Sequence, residues 1–81
     1  MNDFKLHFTL DHAPQTASVT VLKGADHIQY TITPDDPVLE KKFATQVIHQ
    51  FGNKLEFAFP GQGEETEQYN RSLEKALRQV L

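Results

Sequence analysis

Hydrophobic and polar residues alternate along three segments in the N-terminal half of the chain. In the first, residues 4–10, Phe4, Leu6, Phe8 and Leu10 alternate with Lys5, His7 and Thr9. Residues 16–22 and 28–33 repeat the same two-residue period. Because successive side chains of a strand point to opposite sides of a sheet, this alternation predicts three half-buried β-strands. Turn-forming residues separate them at 11–14 and 23–26, so we expect an antiparallel meander.

A short helix is predicted to follow the third strand. Asp36 is a good N-cap residue, and Pro37 suits the first helical position. Glu40 places a carboxylate in the first turn, near the positive end of the helix dipole. These three residues predict where the helix begins, and two interpretations of its end are open.

Residues 44–51 fit either a helix or a strand. As a helix extending to Gln50, they stack Leu39, Phe43, Val47 and Phe51 at a spacing of four, with Gly52 as the C-terminal cap. As a strand over 46–51, they turn at Gly52-Asn53 and pair with a strand over 54–59. Val, Ile, Thr and Phe in this segment form strands more readily than helices, so we favour a helix over 37–43 followed by the hairpin.

An amphipathic pattern predicts a C-terminal helix over residues 64–80. Its apolar stripe consists of Tyr69, Leu73, Ala76, Leu77 and Val80. Glu67 with Arg71 and Glu74 with Arg78 form i,i+4 pairs on the opposite side. The helix needs a layer to cover its stripe, and the strands supply one.

The sequence therefore predicts one α+β domain over residues 1–81, with the C-terminal helix packed on one face of an antiparallel meander sheet of four to five strands. The predicted strands cover residues 4–10, 16–22, 28–33, 46–51 and 54–59. In the last of them, Leu55, Phe57 and Phe59 are expected to face the core.

Composition and charge exclude several classes of function. The 81 residues include no Cys, which rules out disulfides, thiolate nucleophiles and Cys-based metal centres. The net charge is −3 and the eight Lys and Arg are scattered, so we expect no nucleic-acid partner. No apolar run approaches the roughly 18 residues of a membrane span, so we expect no membrane association and a cytoplasmic location.

The four His residues are the natural candidates for chemistry. His7, His12, His27 and His49 fit no metal-ligand spacing, and we expect neither a metal nor another cofactor. Ser18 and Ser72 do not lie in a nucleophile elbow, and the carboxylate pairs at 35–36 and 64–65 open helices, where capping explains them. We therefore predict no catalytic residue.

The polar side of the predicted sheet is the best candidate binding surface. Our predicted site residues are His7, Thr9, Thr20, Thr31, His49 and Phe51. In the hairpin interpretation, Val47, Phe51 and Ala58 form an apolar patch on this side, and His49 lies opposite Glu56.

We expect a non-catalytic protein-interaction or regulatory module that uses the open sheet face or an edge strand, with a protein partner or a second copy of itself. The alternative is a small-molecule-binding protein or minor enzyme with a pocket between sheet and helix, in which His7 or His49 titrates.

Overall fold

The computed structural model describes residues 3–58, 61 and 63–81. Its elements are β1 (Asp3–Leu10), β2 (Ala13–Lys23), β3 (Ile28–Pro34), α1 (Pro37–Phe43), β4 (Gln46–Phe51), β5 (Lys54–Phe57) and α2 (Glu64–Val80). The strands form one antiparallel sheet in the order β1-β2-β3-β4-β5. The predicted α+β meander is confirmed, with five strands.

In the middle of the chain, β4 and β5 form the favoured hairpin, and the interpretation of residues 44–50 as a helix is wrong. Asp36 caps α1, since its carboxylate accepts a hydrogen bond from the Val38 N–H at 2.9 Å. Ala44 ends the helix with a left-handed φ of 57°. Ile48 then pairs with Tyr30 of β3 and is fully buried. Burial of this β-branched side chain against the sheet outweighs continuation of the helix.

The turn between β1 and β2 is tighter than predicted. Asp11 and His12 form a two-residue loop with φ of 51° and 64°, the arrangement of a type I′ turn. Pro14 therefore lies inside β2, opposite Thr9. A proline is tolerated there because β3 pairs with β2 only from Ala17 onward, so no neighbouring strand needs its missing N–H.

The second tight turn joins β4 to β5 at Gly52 and Asn53. Gly52 has a φ of 61°, which glycine adopts without steric cost. The ladder of β5 ends at Phe57, although the Ala58 N–H still donates to the Val47 carbonyl at 2.9 Å. The predicted core position of Phe59 lies outside the described residues.

Helix α2 covers one face of the sheet and packs mainly under β1. Its buried residues are Tyr69, Asn70, Leu73, Ala76 and Leu77, whereas Val80, in the last turn, is exposed. The buried residues of α2 pack against a core formed by Leu6, Phe8, Leu10, Ala17, Val19, Val21, Tyr30, Ile32 and Ile48. Helix α1 lies on the same side, because the Phe43 ring stacks on Tyr69 at 4.2 Å.

One polar pair lies inside this core. The Gln46 side-chain amide donates to Asn70 Oδ1 at 3.0 Å, and Gln46 Oε1 accepts from the Val47 N–H. Because both side chains are buried, the bond fixes the position of α2 relative to β4. Within the part of the chain that the structure describes, neither helix has the length and apolar character needed to cross a membrane.

Candidate functional site

All six residues predicted from the sequence lie on the outer face, which we define as the side of the sheet opposite α2. They do not form one site. His7 and Thr9 lie on β1, and His49 and Phe51 lie on β4, with two strands between. Thr20 and Thr31 are directly paired near the centre and are half-buried. These residues therefore mark two separate surfaces, one on the outer face near β4 and one at β1.

The first surface is a cluster of three rings, which we call the aromatic cluster: His27, His49 and Phe51. The ring centroid of His27 lies 5.1 Å from that of His49 and 5.1 Å from that of Phe51. Phe51 remains 41% exposed. His49 Nδ1 is buried and has no hydrogen-bond partner among the described residues.

His27 was not predicted as a site residue, although the sequence contained a signal for it. Its position two residues before Gln29 gives it the same orientation as the polar side of β3, and Gln29 pairs with His49. His27 Nδ1 also contacts Asp26 Oδ1 at 2.8 Å, and this hydrogen bond lowers the pKa of the Asp26 carboxyl. The cluster is therefore tied to the loop before β3.

The predicted position of His49 opposite Glu56 is confirmed by the β4–β5 register. The Glu56 carboxylate pairs instead with Lys54, at 3.1 Å. The His49 ring packs against His27 and Phe51, so packing rather than an ion pair holds it.

A polar network occupies the outer face near β1. Lys5 Nζ contacts Asp35 Oδ2 at 2.8 Å, and the hydroxyls of Thr16 and Ser18 also donate to this carboxylate, at 2.8 and 3.0 Å. These hydrogen bonds, with Lys5 the strongest contributor, lower the pKa of Asp35. The network joins β1 and β2 to the residue that follows β3, and it pairs the Lys5 ammonium with the Asp35 carboxylate. Nowhere in residues 3–58, 61 and 63–81 do three potential ligands approach closely enough to hold a metal ion.

The second surface is the free side of β1, which we call the β1 edge. The ladder between β1 and β2 runs from Asp3 to Leu10 without a bulge. The Asp35 N–H donates to the Thr16 carbonyl at 3.1 Å, so Thr16 directs its backbone groups away from β1. His7 of β1 lies opposite Thr16, so the two residues form a non-hydrogen-bonded pair. His7 therefore directs its own N–H and C=O to the free side of β1.

The same alternation applies along the whole of β1. Asp3, Lys5, His7 and Thr9 all direct their backbone N–H and C=O to the β1 edge, while the intervening residues bond to β2. β1 carries no proline and no bulge, two of the usual protections of an edge strand, and its charged residues are Asp3 and Lys5. The opposite edge strand, β5, has only four residues and carries Lys54 and Glu56. Of the two edges, β1 is the longer one.

A depression of about 440 Å³ lies beside the β1 edge, between β1 and α2. Its lining from α2 consists of Gln68, Ser72, Lys75, Ala76 and Gln79, none of which is a carboxylate. His7, Phe8 and Thr9 line it from β1, and the same three residues line a second depression of about 530 Å³ toward the outer face. Open space therefore lies beside His7, Phe8 and Thr9, both toward α2 and toward β2.

Two findings describe what the arrangement can do. The β1 edge presents backbone donors and acceptors to an incoming strand. The aromatic cluster presents the exposed ring of Phe51 on the outer face, at β4. Comparison with known proteins assigns neither surface a role, because no family model, no curated protein and no solved structure matches this chain.

Proposed function

We propose that this chain is a non-catalytic protein-interaction module that binds an extended segment of its partner at the β1 edge. The observation that carries the proposal is an uninterrupted edge strand of eight residues without proline or bulge. An added strand exchanges main-chain hydrogen bonds with the outward N–H and C=O groups of Asp3, Lys5, His7 and Thr9. Such strand addition is a recurring mode of peptide recognition.

The surroundings of β1 support this function. Its inward side chains, Leu6 and Phe8, are buried by α2, so the strand is held in place before a partner arrives. A preorganised edge loses little conformational entropy on binding. The adjoining depression gives side chains of the incoming strand a polar surface without α2 carboxylates.

A proline at His7 tests the proposal. His7→Pro removes one outward N–H while leaving the bonds to β2 intact, and His7→Ala removes the same side chain but keeps the N–H. We expect the wild type and His7→Ala to retain an endogenous partner from extract of the producing cells, and His7→Pro to lose it. Amide hydrogen exchange of the purified complex should show new protection at His7 and Thr9. Retention of the partner by a folded His7→Pro variant would contradict strand addition.

A second candidate is ligand or partner binding at the aromatic cluster, favoured by the exposed Phe51 ring stacked on His27. Phe51→Ser distinguishes it from the first proposal. If binding survives His7→Pro but is lost in Phe51→Ser, the outer face is the contact surface. The opposite pattern supports the β1 edge.

A further inference from the structure

We infer that the strand bound at the β1 edge is β1 of a second copy of this chain, antiparallel and centred on Leu6. This inference rests on the proposed function, since it names the partner of the same edge. In the resulting dimer, Asp3 lies opposite Thr9 of the second copy and Lys5 lies opposite its His7. The two five-stranded sheets then form one continuous sheet.

Backbone geometry limits the possible registers. Only odd-numbered residues of β1 direct their N–H and C=O to the β1 edge, so odd residues must pair with odd residues across the dimer. A register centred on Leu6 uses all four, Asp3, Lys5, His7 and Thr9, in hydrogen-bonded pairs. Centring on His7 leaves Asp3 without a partner. Centring on Lys5 places Thr9 opposite a residue outside the described range and sets two lysine side chains directly opposite each other, which destabilises the pair.

Side-chain chemistry fits the Leu6-centred register. On the inner face, Phe4 lies opposite Phe8 of the second copy and Leu6 opposite Leu6, so apolar meets apolar. On the outer face, every pair is polar. The formal charges of β1, one from Asp3 and one from Lys5, cancel, and the edge does not repel its own copy.

The neighbouring helix fits the same arrangement. Near the start of α2, the Gln68 side chain lies near Asp11, and the C-terminal turn of α2 lies near Asn53. Helix α2 therefore crosses under the sheet from the β1–β2 turn toward the β4–β5 turn. A two-fold axis at Leu6 brings the groove-lining sides of two α2 helices toward each other. Those sides carry three neutral polar side chains, Gln68, Ser72 and Gln79, which can hydrogen-bond, together with one cation, Lys75.

Sedimentation equilibrium tests the inference through charge substitutions at Thr9. The wild type should show a concentration-dependent mass approaching twice 9.2 kDa. Thr9→Asp places two carboxylates opposite each other at both ends of the dimer and should weaken association by about 2-fold to 30-fold, whereas Thr9→Lys should strengthen it by a similar factor. Asp3→Lys combined with Thr9→Asp should restore association.

Matched controls separate this register from a general effect of net charge. Asn53→Asp and Asn53→Lys make the same charge changes in the β4–β5 turn and should leave the dimer unchanged. The chain has no native Cys, so disulfide trapping gives a direct register test. A mixture of Asp3→Cys and Thr9→Cys proteins should cross-link readily, because paired Cα atoms lie about 5.5 Å apart. Asp3→Cys mixed with Glu56→Cys should not.

The outcomes distinguish this inference from the proposed function. A wild type that is monomeric at all concentrations, yet retains a different partner sensitive to His7→Pro, overturns self-pairing and supports the β1 edge as a docking site. A dimer that responds to Phe51→Ser and ignores the Thr9 substitutions overturns both. A dimer that follows the Thr9 charge pattern and the predicted cross-link supports both.

Discussion

Removal of a single buried hydroxyl should stabilise this protein. The Tyr69 side chain is 1% exposed, with Phe43 stacked on its ring and Phe8 packed edge-on against it. Its hydroxyl is buried and has no hydrogen-bond partner among the described residues. Tyr69→Phe keeps the ring contacts and removes the unpaired polar group.

The magnitude follows from the cost of an unsatisfied polar group. Such a group in a protein interior costs roughly 1–3 kcal/mol, and the small void left by the missing oxygen offsets part of the gain. We therefore expect Tyr69→Phe to increase the free energy of unfolding by about 1 kcal/mol. For a domain of this size, that corresponds to a rise in Tm of about 4–8 °C.

A second signature appears at alkaline pH. Burial raises the pKa of Tyr69 to about 12, whereas the unfolded side chain titrates near about 10. Between these values the unfolded chain binds fewer protons than the native state, so stability falls as pH rises, by about 1.4 kcal/mol per pH unit for this group. The difference in stability between Tyr69→Phe and the wild type should therefore widen above pH ~10.

Urea denaturation of both proteins between pH 7 and pH 11 measures both effects. Tyr30→Phe is the matched control, because the Tyr30 hydroxyl donates to Gln50 Oε1 at 2.6 Å. Loss of that bond should destabilise the protein by about 1 kcal/mol, the opposite sign from Tyr69→Phe. If both variants lose similar stability at pH 7, the Tyr69 hydroxyl is hydrogen-bonded and the reasoning is refuted.

Two further substitutions probe the turn and the polar network. His12→Gly should stabilise the protein by about 1 kcal/mol, because glycine adopts the φ of 64° without the clash of a Cβ. Thermal unfolding measures this effect, and an unchanged Tm would show that His12 is not strained. Asp35→Asn should destabilise the protein at pH 7. Since Lys5, Thr16 and Ser18 hold the pKa of Asp35 below 3.8, this difference should shrink as pH falls below that value. A gap that stays constant down to pH ~2.5 in urea denaturation would contradict a charge-dependent role for the network.

Much of the architecture was predictable because its signals are local. The two-residue period of β1 to β3 determines which side chains face inward, and this needs no knowledge of the partner strand. Asp36 and Pro37 specify the beginning of α1 in the same way, through a cap and a fixed φ. Helix α2 follows from its stripe of apolar residues, four of which are buried as predicted.

The candidate site was predicted only in part. The sequence assigned His7, Thr9, His49 and Phe51 to the outer face, because residue parity alone determines the side of a strand. It did not separate them into two surfaces or include His27. That grouping depends on strand order and on the register between β3 and β4, which join residues about 20 positions apart.

Tertiary structure alone decided the remaining questions. Residues 44–51 have local preferences for both helix and strand, and pairing with β3 together with burial of Ile48 selects the strand. The sequence predicts a meander of four to five strands, but that order makes the first strand an edge only where no other segment pairs with its free side. The finding that β1, long and without proline or bulge, is one of those edges comes from the fold, and the proposed interaction depends on it.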